Sequence, residues 1–270
     1  KLGPLPQDQQ PFFRQLHGSA QLNQPAIQRF TQSIRAVSES YNDRFLMGEV
    51  NGDNDTAMQV SEQFTAPDRL HATYNFDLLE WGGLSVHEIK MAISNAINIF
   101  NGTGRISFAF SNHDVPRVAS RQLKALGLKP DQSDAMQLLL LKLETSLIGS
   151  TCIYQGEELG LEDATTIPFD RLQDPWGIEF APTFLGRDTC RTPMVWNSNE
   201  QNGGFSTASK TWLPVIEEHL KRCAMSQAGK MGSIYNEFSS FLKWRKNQPA
   251  LISANEITTP TGGPKKIIFI

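Results

Sequence analysis

An α/β fold with a parallel sheet, four strands of a (β/α)8 barrel, is what this sequence predicts, and three observations predict it. Helical and β-prone segments alternate through the first 155 residues, the pattern of strand–helix units feeding a parallel sheet. The run Arg105-Ile106-Ser107-Phe108-Ala109-Phe110 stops abruptly on the polar group Ser111-Asn112-His113-Asp114. A second apolar run, Arg44-Phe45-Leu46-Met47, ends in Gly48-Glu49-Val50. Buried strands whose C-terminal tips carry polar side chains are how such a barrel displays chemistry.

Taken in order, 26–41 reads as a helix with Ile27, Phe30, Ile34 and Val37 on one face. Phe45 to Val50 is a strand, and His71 to Phe76 is a second. Val86 to Phe100 returns to helical period through Ile89, Ile93, Ala96 and Ile97, with Ser85 placed as N-cap. Arg105 to Phe110 is the third strand. Residues 134–147 form the next helix, expected to pack through Met136, Leu139, Leu140, Leu143 and Leu147. Thr151 to Tyr154 is a short fourth strand ending in Gln155-Gly156-Glu157-Glu158.

From about 159 to 231 the chain is rich in Pro, Gly, Asp and aromatics, which favours an ordered lid over a flexible linker. Ile234 to Arg245 reads as a helix, and Ile252 to Ile270 as the start of a β segment, with Pro260 to Pro264 as a turn.

Composition narrows the function classes. The 270 residues carry a formal net charge of −3 without a basic stripe, which argues against a nucleic-acid partner. The longest apolar run, near 135–144, is broken by Lys142 and Glu144 and falls short of the ~20 residues that cross a bilayer, so no membrane partner is expected. Cys152, Cys190 and Cys223 have unpatterned spacing, which fits reduced thiols and a cytoplasmic location. No CxxC or HExxH spacing occurs, so no metal or cofactor is expected, and His17, His71, His87 and His219 read as structural.

The candidate chemistry lies at the strand tips. Glu49 reads either as a general acid in a partly enclosed cleft or as a surface residue of a loop. Asn112-His113-Asp114 reads either as a cluster bonding vicinal sugar hydroxyls or as a turn before Pro116. Glu157 and Glu158 read as solvated turn charges in preference to a loop packed beneath the site. Arg187 and Arg191 read as a fork for a hydroxyl or carboxylate, or as salt bridges pinning the lid.

These segments, in this order, resemble the α-amylase superfamily of glycoside hydrolases, most closely its bacterial α-glucosidase and oligo-1,6-glucosidase branch. Phe45 to Val50 is similar to the strand-five motif with the general acid, Phe110 to Asp114 to the strand-seven motif, and Tyr154 to Gly160 to the strand-eight motif. Gly186-Arg187-Asp188 through Trp196 is similar to the segment that follows strand eight, and Trp212 to Val215 and Leu242 to Leu251 also fit this branch. The resemblance implies that residues 1–249, with the lid at about 159–231, are the C-terminal half of a catalytic barrel (strands five to eight), that 250–270 begin a C-terminal β-sandwich domain, and that the mechanism is retaining. It implies Glu49 as acid/base, Asp114 as the transition-state-stabilising Asp, His113 on sugar hydroxyls, and Arg187 facing the non-reducing-end hydroxyl. The substrate implied is an α-glucoside oligosaccharide, cleaved from its end.

The D-G-F/L-R-x-D motif that carries the nucleophile in that family does not occur here. The expectation is therefore a C-terminal portion with the nucleophile absent, inactive alone, whose Arg187 lacks its Asp partner. Two other readings fit the same resemblance: a non-catalytic amylase-like binding subunit, and a transglycosylase or isomerase of the trehalose synthase kind. All three place Glu49 and Asp114 in one hollow.

Overall fold

The computed structural model describes residues 25–50, 57–79, 81–101, 105–129 and 132–252. Its centre is a four-stranded parallel sheet in sequence order: β1 (Met47–Gly48), β2 (Ala72–Asn75), β3 (Ile106–Phe108) and β4 (Ser150–Thr151). Met47 pairs with Ala72, Thr73 with Ile106, and Phe108 with Thr151. All three residues of β3 are buried, as expected of a parallel strand covered on both faces.

Helix α1 (Pro25–Glu39) precedes the sheet, and the helices between the strands are α2 (Ala57–Phe64), α3 (Val86–Asn101), α4 (Val118–Leu126) and α5 (Ser133–Glu144). Ser85 caps α3 as expected: its Oγ accepts from Glu88 N, and Glu88 Oε2 accepts from Ser85 N at 2.7 Å. This reciprocal pair satisfies two of the helix's open donors. The main core joins Ile89, Ile93 and Ile97 of α3 to Ile106, Phe108 and Phe110, with Val118 and Leu140 closing it.

Two sequence expectations fail, and one helix was not foreseen. Phe30 and Val37, assigned to the packed face of α1, are both exposed. In α5, Leu139 is exposed, while the buried face runs through Gln137, Leu140, Leu141 and Glu144. Two polar residues occupy core positions there, so the apolar period pointed about one residue off the true face. Helix α4 escaped notice because its buried side includes Arg121 and Gln122. Gln122 replaces apolar packing with a two-way clasp, accepting from Leu84 N at 2.7 Å and donating to Leu84 O at 3.0 Å.

Beyond β4 the chain is built from short turns and helices: α6 (Pro175–Phe180), α7 (Glu217–Leu220), α8 (Ala224–Gln227), α9 (Ile234–Arg245) and α10 (Pro249–Ile252). Two small apolar clusters hold this region, one around Leu159, Leu161 and Val195, the other around Ala164, Ile167 and Ile216. Pro249 starts a helical turn where a β domain was expected to begin, as a proline at the first helical position favours. The rest of that expected domain, 253–270, lies outside the described residues, as do 1–24.

The polar face of α5 has a thermodynamic consequence. Burial raises the Glu144 carboxyl well above its ordinary value, and nearby Glu157 adds to the rise. One of its oxygens, Oε1, has no hydrogen-bond partner. A carboxyl raised on folding keeps its proton where the unfolded chain has released one. Its contribution is therefore intact below the ordinary value of 4.5 and declines as pH climbs towards the folded value. Glu144→Gln copies the neutral form. It is expected to raise Tm at pH 7 by roughly 2–4 °C and to leave Tm at pH 4 unchanged. An equal loss of Tm at both pH values in a thermal melt would overturn this assignment.

Candidate active site

Two strand ends converge. Glu49 follows β1, and His113 and Asp114 follow β3 by way of Phe110. One ligand-type atom from each of the three lies within 4.8 Å of the others. Gly48, just before Glu49, packs closely on Leu70: a Cβ there would sit 2.4 Å from Leu70 Cδ1. Glu49 and Asp114 are thus brought close together, but the expected enclosure of Glu49 is not found: the residue is exposed, and so is His113.

Asn112 has a different task from its neighbours. Its Oδ1 accepts from Asp114 N at 2.8 Å and Val115 N at 3.1 Å. This is an Asx turn that reverses the chain after the strand. The turn reading thus holds for Asn112, which shapes the bend that His113 and Asp114 follow.

Asp114 is gripped from the far loops. Arg191 Nη2 lies 2.6 Å and Arg187 Nη1 3.2 Å from its Oδ1. Arg191 Nε also donates to His113 O at 2.6 Å, and His113 Nε2 is 3.7 Å from the same Oδ1. These contacts converge on one carboxylate oxygen. Two guanidinium charges at that oxygen oppose a metal ion, although Glu49, His113 and Asp114 offer three ligand-type atoms.

Arg187 is not without its acidic partner. Asp174 receives it in a fork, Nε to Oδ2 at 3.0 Å and Nη2 to Oδ1 at 2.9 Å, the bidentate geometry that makes such pairs strong. Asp174 Oδ2 also accepts from Arg187 N at 2.6 Å. Gly186 lets this happen: its φ is +69°, and a Cβ there would stand 2.6 Å from Asp174 Oδ2. Buried Asp188 fixes the other side, its Oδ2 accepting from the backbone of Gln173 and Asp174. Trp176 lies under the guanidinium, 5.0 Å from ring centre to Cζ. The sequence reading missed Asp174, although an Asp directly before Pro175 marks a helix N-cap, and Asp174 does cap α6.

Beneath the tips is a buried polar layer. Glu157 is fully buried, which corrects its reading as a solvated charge. Its side chain accepts from Ser111 Oγ, and its Oε2 from Tyr154 N at 3.0 Å. Burial raises the Glu157 carboxyl, against the pull of Ser111 and two nearby guanidiniums. Arg117, also fully buried, donates to the carbonyls of Gln155 and Cys190. Arg121 donates to Phe110 O, at the very end of the strand run, and burial lowers it to about 10. His219 is buried and structural as expected, with Nε2 2.8 Å from Glu162 O and burial lowering it to about 4.

Acidic side chains and an imidazole at the tips of strands of one parallel sheet form the kind of site an α/β barrel uses for acid–base chemistry. The chain belongs to the α-amylase family: the family described as alpha amylase, catalytic domain, matches residues 5–254. Among curated relatives, a "Probable alpha-glucosidase" of Rhizobium meliloti is 38% identical over 230 residues, covering 85% of this chain and 40% of that protein. An oligo-1,6-glucosidase of Halalkalibacterium halodurans is 26% identical over 265 residues, covering 86% and 45%. Among solved structures, an alpha-glucosyl transfer enzyme is 34% identical with a TM-score of 0.71, covering 87% of this chain and 43% of that one. The chain thus spans less than half the length of each of these three proteins.

Burial works to raise the Asp174 carboxyl, but the hydrogen bonds and charge of Arg187 outweigh it and hold it below its ordinary value of 3.8. A lowered carboxyl stabilises the fold above that value and loses the contribution as pH falls through the folded value. Asp174→Asn keeps the helix cap and removes the charge. It is expected to cost about 1–3 kcal/mol at pH 7, read by urea unfolding, and the gap from the unsubstituted chain should narrow below pH 3. A gap independent of pH would assign the loss to packing instead.

Proposed function

We propose that this chain carries the acid/base half of an exo-acting, retaining α-glucosidase site, for terminal α-linked glucose of maltose-type or isomaltose-type oligosaccharides. The observation that supports it best is the meeting of Glu49, His113 and Asp114 within 4.8 Å beyond the ends of β1 and β3. In this reading Glu49 protonates the glycosidic oxygen as the leaving group departs and then activates the water that completes the reaction. Its exposure suits a group that must meet both the substrate and water. Asp114 holds ring hydroxyls more tightly as the sugar flattens, through the oxygen not taken by Arg187 and Arg191. His113 binds an adjacent hydroxyl. Arg187 uses three of its five N–H groups on Asp174 and Asp114, which leaves donors for the hydroxyl at the non-reducing end. The domain limits read from the sequence, and a cytoplasmic location to match three free cysteines, belong to the same proposal.

The nucleophile is not among the residues proposed here, since the chain holds no D-G-F/L-R-x-D motif. Groups of this kind act as a unit, so the 270-residue chain alone is expected to show negligible turnover of an aryl α-glucoside. Turnover near that of a full-length relative would show that the chain supplies its own nucleophile. A transfer reaction is the second reading, favoured by the 34% identity to an alpha-glucosyl transfer enzyme. In a reconstituted enzyme the products separate the two: free glucose for hydrolysis, a rearranged disaccharide for transfer.

A further inference from the structure

A hollow of about 340 Å³ opens at the end of the sheet opposite Glu49 and Asp114. Leu70 and His71 come directly before β2, and Arg105 directly before β3, so the hollow lies where strands begin and the carboxylates lie where strands end. Arg35 of α1 and the segment Thr65-Ala66-Pro67 after α2 complete the wall. Two arginines and a histidine from three separate segments thus border one concavity, and no lining residue is acidic. In a chain of formal net charge −3 that is a local reversal of sign.

The basic groups are set in place by contacts that leave donors over. Leu46 N donates to His71 Nδ1 at 2.9 Å, so that nitrogen carries no proton and Nε2 carries the N–H of the ring. Phe45 stacks on the same ring, with centroids 5.1 Å apart, and fixes its plane. Glu39 Oε1 is 3.7 Å from Nε2, beyond hydrogen-bond reach. Arg35 gives Nε to that Glu39 oxygen and Nη1 to Arg69 O at 2.8 Å, which leaves Nη2 outside those bonds. Arg105 lies over the Phe100 ring, 5.3 Å from ring centre to Cζ. Its backbone N donates to Thr65 Oγ1 at 3.0 Å, which ties the start of β3 to the wall of the hollow. Glu39 balances one of the two guanidinium charges, and nearby Asp68 is matched by Arg69 at 3.7 Å.

Donors that converge with no carboxylate among them suit a group that accepts on every side and carries negative charge. A phosphate group does both, and the planar fork of a guanidinium meets its oxygens in pairs. We propose that this hollow binds a phosphate group between Arg35 and Arg105, with the Nε2–H of His71 as a further donor. Free phosphate and a phosphate monoester share this chemistry, and Pro67 and Leu70 offer an apolar wall to the organic part of an ester. The proposal is independent of the glucosidase reading, since neither the strand-tip residues nor the arginines that hold Asp114 line the hollow.

Titration of the 270-residue chain with inorganic phosphate at constant ionic strength, followed by calorimetry and by the NMR signals of labelled histidine rings, tests it. Saturable binding is expected, with the His71 signal moving and that of His113 unmoved. Arg35→Gln and Arg105→Gln are each expected to weaken binding about five- to tenfold. Arg222→Gln removes a guanidinium that is paired with Asp134 elsewhere and is expected to change nothing. Arg105 is exposed, so its variant carries the test where Arg35→Gln lowers Tm. Glycerol phosphate separates the two sources: tighter binding than inorganic phosphate assigns the hollow to a phosphate monoester, weaker binding to the free ion. Titration without saturation, equal affinity in Arg105→Gln and the unsubstituted chain, or movement at His113 in place of His71 overturns the site.

Discussion

The contact on which the rest depends is the closure of two guanidiniums on one oxygen of Asp114. It ties the end of β3 to loops 73 and 77 residues further along, and without it strand tips and loops would be separate surfaces. The pairs are partly solvated, with Asp114 40% exposed in its side chain, so each alone would add little. Their weight comes from being a network. Asp188 holds the backbone of Asp174, Asp174 holds Arg187 in a fork, and Arg187 and Arg191 together hold Asp114. Each member is fixed by a neighbour before it meets the next, so little side-chain freedom remains at Asp114.

Support from below is of another kind. Glu157, Ser111, Arg117 and Arg121 form a buried polar layer whose partners are mostly the backbone where the strands end. Such a layer is expensive unless nearly every group is satisfied. Where it is satisfied, it fixes the exit direction of each strand more sharply than apolar packing, because hydrogen bonds have angles and methyl contacts do not. The orientation of His113 and Asp114 therefore reflects Ser111 and the Asn112 bend as much as the sheet.

The sheet itself was legible because its strands are short apolar runs between turn residues and α3 repeats its apolar side chains at helical spacing. The tips were legible because a carboxylate ending such a run stands out. What escaped was polar burial. Gln137 and Glu144 of α5, Arg121 and Gln122 of α4, and Glu157 all sit where a hydrophobic pattern expects apolar residues, so the faces shifted or the helix was missed. Asp174 escaped for a different reason. Its pairing with Arg187 depends on a tight turn at Gly186, a tertiary approach that residue types along the chain do not announce.

Arg191 spends Nε on His113 O and Nη2 on Asp114 Oδ1, and a planar guanidinium carries its donors at fixed angles. The two bonds act as a splint: the backbone of one residue and the side chain of the next are set against a single rigid plane, so the bend at Asn112 and the carboxylate of Asp114 are held in one orientation relative to each other.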